Sequence, residues 1–279
     1  MFISRRGALK TVLSGLLFAG SISLSAGEAR AADPPAHVAW GELLISTLLP
    51  QKNEYGTGPS YIRWAGDVGY VASENRTVCG TFVTLLFQRA YAMTSADFTD
   101  WMDTASPNAA AYHDAIVAEN GFELVTHIDD ILPGDLIAIK YPDGSAQSGH
   151  VAIATDLPVR HKMVSPIIKA TRQFEVFIID STNTPHGKTD SRVKPDGSVD
   201  TGAGSGSMRL YTDPHGKIVG HSWSTAVSDG FYDMSSRHLV VGRLSRALPA
   251  VVDPGPGLAP IAPIDLPVSG LPGGFPVAP

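Results

Sequence analysis

The chain has 279 residues, 43% of them hydrophobic, with 21 Lys or Arg against 27 Asp or Glu and a net charge of −6. It has no dense basic run with interleaved aromatics, which excludes a nucleic-acid-binding role. A single cysteine, Cys79, excludes an internal disulfide framework.

At the N-terminus Arg5, Arg6 and Lys10 precede an apolar, small-residue run from Thr11 to about Ala26. Ala29-Arg30-Ala31 then offers the small-x-small pattern that signal peptidase cuts after. This order predicts a secretory signal over 1–31. The stretch "SRRGALK" resembles a twin-arginine export signal. Read that way, or as an ordinary secretory signal with two arginines, it puts the mature chain outside the cytoplasm, periplasmic or extracellular. The apolar run is short and Gly/Ser-rich for a spanning helix. No cysteine near the cut could carry a lipid, so no stable membrane anchor is expected. From residue 32 onward 17 basic side chains stand against 26 acidic ones, net −9.

Trp40 to Leu49 reads as a short helix packed on the domain, and Gly56 to Tyr70 as a loop. From Cys79, apolar or small residues recur at Phe82, Val83, Leu86, Ala90 and Met93. That spacing places Cys79 in the first turn of an amphipathic helix, with Thr77 as its cap. "SADFTDWMDT" and "SPNAAAYHDAIVAEN" are further helices, the second stopped by Gly121. The texture then changes to short β-branched or aromatic runs at 135–141, 150–156, 174–181, 207–213, 217–223 and 238–244. "DPHGK" marks a hairpin turn, and "GAGSG" at 202–206 reads as a flexible loop. Helices first and neighbouring strands afterwards predict an α+β domain over 32–248 with a mostly antiparallel sheet. The segment 249–279 holds nine prolines and five glycines and reads as a disordered tail or spacer.

The chemistry centres on Cys79. On its own a lone cysteine is a buried small hydrophobe, a dimerisation handle or a nucleophile. At a helix start, unpaired N–H groups and the macrodipole lower a thiol's pKa and can hold an oxyanion. Such a cysteine needs a base and a group to orient that base. His150 opens the strand "GHVAIAT", with Val151 and Ile153 on one face and His150, Ala152 and Ala154 on the other. Asp180 ends the next strand, where it either lies beside His150 or caps the turn "DSTNTP".

Four pieces in order, "YIRWAGD", "VCGTFVTLLFQRAY", "LPGDLIAI" and "GHVAI", resemble motifs of the NlpC-type cysteine peptidases and their CHAP-type amidase relatives. The resemblance implies a papain-like core with the Cys helix packed on the sheet. It makes Cys79 the nucleophile, His150 the general base and Asp180 the orienting residue. Tyr61 matches a loop tyrosine near the nucleophile. It further implies a secreted hydrolase of peptidoglycan or related peptide amides, without a cofactor. Departures are Val78 for the usual Asp, "CGT" for "CSG", Ala65 for a glycine, and 29 residues between His150 and Asp180.

Asp135 is expected to tie the turn that starts its strand. His186 is an alternative third catalytic residue or a groove residue, and Arg192 a partner for a substrate carboxylate. No H-x-H or H-x-x-x-H spacing supports a metal. A non-catalytic wall-binding protein and an acyltransferase on the same three residues are the alternative functions.

Overall fold

The computed structural model describes residues 34–255. The signal expected over 1–31 and most of the tail expected over 249–279 lie outside them. The chain is α+β. Helix α1 (Ala36–Thr47) leads into strands β1 (Leu48–Tyr55), β2 (Tyr61–Arg63) and β3 (Ser73–Thr77). Helices α2 (Cys79–Tyr91), α3 (Ser95–Met102) and α4 (Ala109–Val117) follow. The remaining strands are β4 (Phe122–Val125), β5 (Leu136–Lys140), β6 (Gly149–Ala154), β7 (Val159–Arg160), β8 (Arg172–Thr182) and β9 (Gly202–Thr212). They end with β10 (Ile218–Ser222), β11 (Tyr232–Asp233) and β12 (His238–Leu244).

β1, β3 and β2 form a small sheet in that order, with β1 parallel to β3. The other nine strands form one antiparallel sheet, ordered β11-β10-β9-β8-β6-β5-β12-β4 with β7 beside β8. This sheet closes on itself. Past the end of β4, the Ile218 N–H donates to Thr126 O (3.1 Å), and the Ile128 N–H donates to Gly216 O (2.9 Å). His127 pairs with Lys217 between them. The result is a barrel running from β10 through β4.

Alternation along each strand then separates two cores. Leu136 and Ala138 of β5, Val151 and Ile153 of β6, and Ile179 of β8 face the helices. Their neighbours Ile137, Ile139, Ala152, Ala154, Val176 and Ile178 fill the barrel. Burial on both faces is why these strands read as unbroken apolar runs rather than as alternating ones. α2 buries Phe82, Val83, Leu86, Phe87 and Ala90 against the outer face, the stripe expected from its spacing.

Several local expectations need correction. The α1 helix begins at Ala36, before Trp40, and β2 interrupts the stretch expected to be all loop. "GAGSG" is no loop: it begins β9, paired residue for residue with β8 from Thr182↔Gly202 onward. β1 and β3 escape sequence reading because "LLPQKNEY" and "SENRT" carry little apolar alternation. The "DPHGK" turn is as expected, with Asp213 Oδ1 accepting the His215 and Lys217 N–H groups at 2.8 and 3.0 Å. Asp135 ties its turn, accepting the Leu132 N–H at 2.9 Å, and also pairs with Arg243 at 2.8 Å. The packed chain continues to Val252, whose N–H donates to Ala90 O (2.7 Å) and whose carbonyl accepts from Trp40 Nε1 (2.6 Å).

His37 pins α1 to the rest. Its Nε2–H donates to Gly134 O (2.9 Å), so Nδ1 accepts from the Tyr91 hydroxyl and the ring is neutral. Burial lowers its pKa from 6.5 to about 4. The unfolded chain therefore takes up this proton first. The stability tied to His37 is full above pH 6.5 and is lost as pH falls toward 4, by up to about 3 kcal/mol. Chemical unfolding at pH 7 and 4.5 should show this loss, and His37→Gln should shrink it. An equal acid loss in that variant would refute the assignment.

Candidate active site

β6 and β8 pair only at Ile153↔Ile179 and Ala154↔Ile178, and beyond those rungs they part. The N-terminus of α2 sits in this fork, which brings together Cys79 from the helix, His150 from β6 and Asp180 from β8. His150 Nε2 donates to Asp180 Oδ2 at 2.7 Å. The other ring nitrogen, Nδ1, is thereby left for the Cys79 thiol, whose pKa His150 and the Val151 N–H both lower. The Ala154 N–H is bonded to Asp135 O on the β5 side, so the Val151 N–H, three residues back, faces the opposite way, toward α2.

The residue before the helix, Val78, is extended and no side chain caps α2. Thr77, expected as the cap, instead ends β3 and donates its hydroxyl to Asn75 Oδ1 (2.8 Å). The first-turn N–H groups consequently remain free to receive a developing oxyanion. Two glycines shape the approach. A Cβ on Gly80 would collide with Pro107 O, which explains "CGT" in place of "CSG". Gly149 has φ 148°, and a Cβ there would strike Ile139 O, so His150 must be preceded by glycine.

The electrostatics run in one direction. Burial pushes the Cys79 thiol up, but the hydrogen bond and charge of His150, with the Val151 N–H, outweigh it and hold the pKa below its ordinary value. Burial likewise opposes the His150 imidazolium. Asp180 and Cys79 outweigh it, and the pKa is pushed up to about 9. Asp180, which burial alone would raise, is held well below the carboxylate range by Arg192, His186 and His150. Each shift favours the charged form over that of the free group: thiolate, imidazolium and carboxylate.

Behind Asp180 lies a buried polar layer. Arg192 Nη2 donates to Asp180 Oδ1 (2.8 Å) and to Asp190 Oδ2 (2.8 Å), Nε to Asp190 Oδ1 (2.8 Å), and Nη1 to Gly202 O (2.9 Å). Arg192 is 2% exposed with four of its five guanidinium donors spent, so it meets no substrate carboxylate; its role is to compensate the Asp180 charge. His186 is also corrected. It is 1% exposed and donates from Nε2 to Asp180 Oδ2 (2.9 Å) and from Nδ1 to Trp223 O (2.6 Å), stacked 4.1 Å from the Trp223 ring. It neither touches Cys79 nor lines the cleft; it braces Asp180. The β9 glycines make room for this layer. A Cβ on Gly204 would lie 2.8 Å from Arg192 Nε, and one on Gly206 2.7 Å from Asp190 Oδ2.

Tyr61 is displaced from its expected role. It lies in β2, beyond β3 from β1, with the Arg63 guanidinium 4.5 Å over its ring. The tyrosine beside Cys79 is Tyr55, at the end of β1, and burial together with the Cys79 charge raises its pKa to about 12. No sequence signal marked Tyr55, because β1 is itself too polar to be read.

A cleft of about 300 Å³ opens above His150 and Tyr55, walled by Tyr141, Trp223, Tyr232 and Arg237. A larger groove of about 530 Å³, with Glu42, Asp156 and Glu175, lies elsewhere and contains neither Cys79, His150 nor Asp180. One ligand atom each of His150, Asp180 and His186 lie within 4.8 Å of one another. However, Asp180 Oδ2 already accepts both imidazoles at 2.7 and 2.9 Å, closer than ligands spread around a tetrahedral zinc would be. The set is arranged as hydrogen-bond partners.

No protein-family model matches the chain, and no solved structure matches it. Over 228 residues it is 32% identical to an uncharacterized protein of Acanthamoeba polyphaga mimivirus, covering 75% of this chain and 96% of the viral one.

Two outcomes test the site. With His150→Gln, burial remains while the largest lowering influence goes, so the pH midpoint of Cys79 alkylation should rise past the free-thiol value of about 8.5. An unmoved midpoint would break the Cys79–His150 link. Gly206→Ala should cost about 1–3 kcal/mol in chemical unfolding, and no loss would mean the polar layer has slack.

Proposed function

The chain belongs to one family with the mimivirus protein, and we propose that it is an exported cysteine hydrolase of papain-like, NlpC-type architecture that cleaves peptide amides of peptidoglycan. The observation that carries the catalytic part is the buried line Cys79, His150 and Asp180, with the thiol shifted toward thiolate and the imidazole toward imidazolium. The architecture is supported by a Cys helix packed on a mostly antiparallel closed sheet that carries the base and its partner on neighbouring strands. Export rests on the twin-arginine-like segment, and the wall substrate on the four motif resemblances.

The thiolate of Cys79 attacks the amide carbon, and its S–C bond forms as the carbonyl becomes an oxyanion. The first-turn N–H groups of α2 and the Tyr55 hydroxyl are the donors available to that oxyanion. His150 then gives its Nδ1 proton to the leaving amine as the C–N bond breaks, leaving a thioester. Neutral His150 next takes a proton from water, which attacks the thioester and frees the acid. Asp180 keeps its charge throughout and holds the imidazole by Nε2.

The test is digestion of purified muropeptides, with new amines counted by labelling and products weighed. Cys79→Ala should abolish release, and Asp180→Asn should slow it at least about a hundredfold. Release that survives Cys79→Ala would end the proposal.

A further inference from the structure

The cleft carries one cation that the catalytic line does not use. Arg237 follows the turn after β11. Its guanidinium lies 3.9 Å from the Tyr232 ring centroid and 4.5 Å from that of Tyr141. Among the described residues no carboxylate comes within ion-pair distance of it. The nearest acid in sequence, Asp233, turns its Oδ1 to the Ser235 N–H (3.0 Å), Ser235 Oγ (2.8 Å) and the Ser236 N–H (2.8 Å) and forms no ion pair with Arg237. Arg192, by contrast, has two carboxylates and no access to solvent.

Aromatic faces fix a guanidinium without neutralising it. Its planar fork therefore stays available for a bidentate bond to a carboxylate. The charge is felt inside the barrel mouth. His221, packed 5.5 Å from Tyr232, is kept neutral by burial first and by Arg237 and His150 next. An anion entering the cleft thus meets the uncompensated Arg237 on one wall and His150 at the floor.

We propose that Arg237 determines specificity by receiving a free carboxylate of the substrate while Cys79 attacks the amide. The substrate class is then short amides or peptides with an unblocked carboxylate close to the scissile bond. This rests on Cys79 being the nucleophile.

Two alkylating probes of nearly one shape separate the two ideas: iodoacetate, which carries a carboxylate, and iodoacetamide, which does not. With both, the thiolate sulfur bonds to the methylene carbon and iodide leaves. In the folded full-length protein the iodoacetate-to-iodoacetamide rate ratio should exceed that of glutathione by at least about tenfold. Arg237→Gln should remove that preference, Arg237→Lys should keep part of it and Arg237→Glu should reverse it, while iodoacetamide rates stay within about twofold. A ratio unchanged in Arg237→Gln, with iodoacetamide still reacting, overturns the role of Arg237 and leaves the nucleophile standing. A folded wild-type protein that reacts with neither reagent overturns both. A check without variants is protection of wild-type Cys79 from iodoacetamide by N-acetylglycine and not by N-acetylglycinamide. Equal protection by both overturns the assignment.

Discussion

The carboxylate of Asp180 is the constraint on which the rest of this structure turns. It is fully buried, and taking such a charge out of water costs several kcal/mol unless partners restore what water supplied. Arg192 supplies the opposite charge, and two imidazoles fill the remaining positions on its oxygens. Those partners need support in turn. Asp190 holds Arg192 and the His186 N–H, Trp223 holds the far side of His186, and β9 gives up side chains at Gly204 and Gly206 to let them in. A single buried charge thereby sets the sequence of a loop and of half a strand.

The same accounting explains why the pKa of the thiol is lowered although it is buried. Desolvation is the largest single influence on both Cys79 and His150, and it opposes the charged form of each. It loses because charges alternate along the line, from Arg192 through Asp180 and His150 to Cys79, so each group's charged form has an opposite neighbour. The barrel makes this possible mechanically. β6 and β8 are hydrogen-bonded at one end and open at the other, and the opening admits the free end of α2.

How much of this could be read from the sequence follows from the same physics. Cys79 and His150 stood out because each opens an element with a strong periodic signature, an amphipathic helix and an apolar strand; Asp180 was open between a partner of His150 and a turn cap, and only the family resemblance chose. The supporting residues did not stand out. Arg192 and His186 belong to an irregular segment, and nothing local distinguishes an arginine facing a substrate from one facing a buried aspartate. Glycine spacing in "GAGSG" suits a loop as well as a strand making room for neighbours, and only the buried layer decides. Tyr55 was hidden because β1 and β3 are held by polar pairing, such as Asn75 Nδ2 to Asn53 Oδ1 at 2.9 Å, and bury few apolar groups. The α+β class was legible throughout, since it needs only the order of helices and strands.

The glycines opposite the polar layer also couple distant positions of the chain. Gly204 and Gly206 are tied to positions 186, 190 and 192 by steric exclusion, His186 and Arg192 are hydrogen-bonded to Asp180, and Asp190 holds both of them. None of the five can drift alone: a methyl group on β9 displaces the arginine, and a lost arginine strands the carboxylate. They act as one mechanical unit, whereas Arg237 at the rim rests on two aromatic rings and is tied to none of the five. A change at position 237 therefore alters the charge of the cleft without unsettling the layer beneath it.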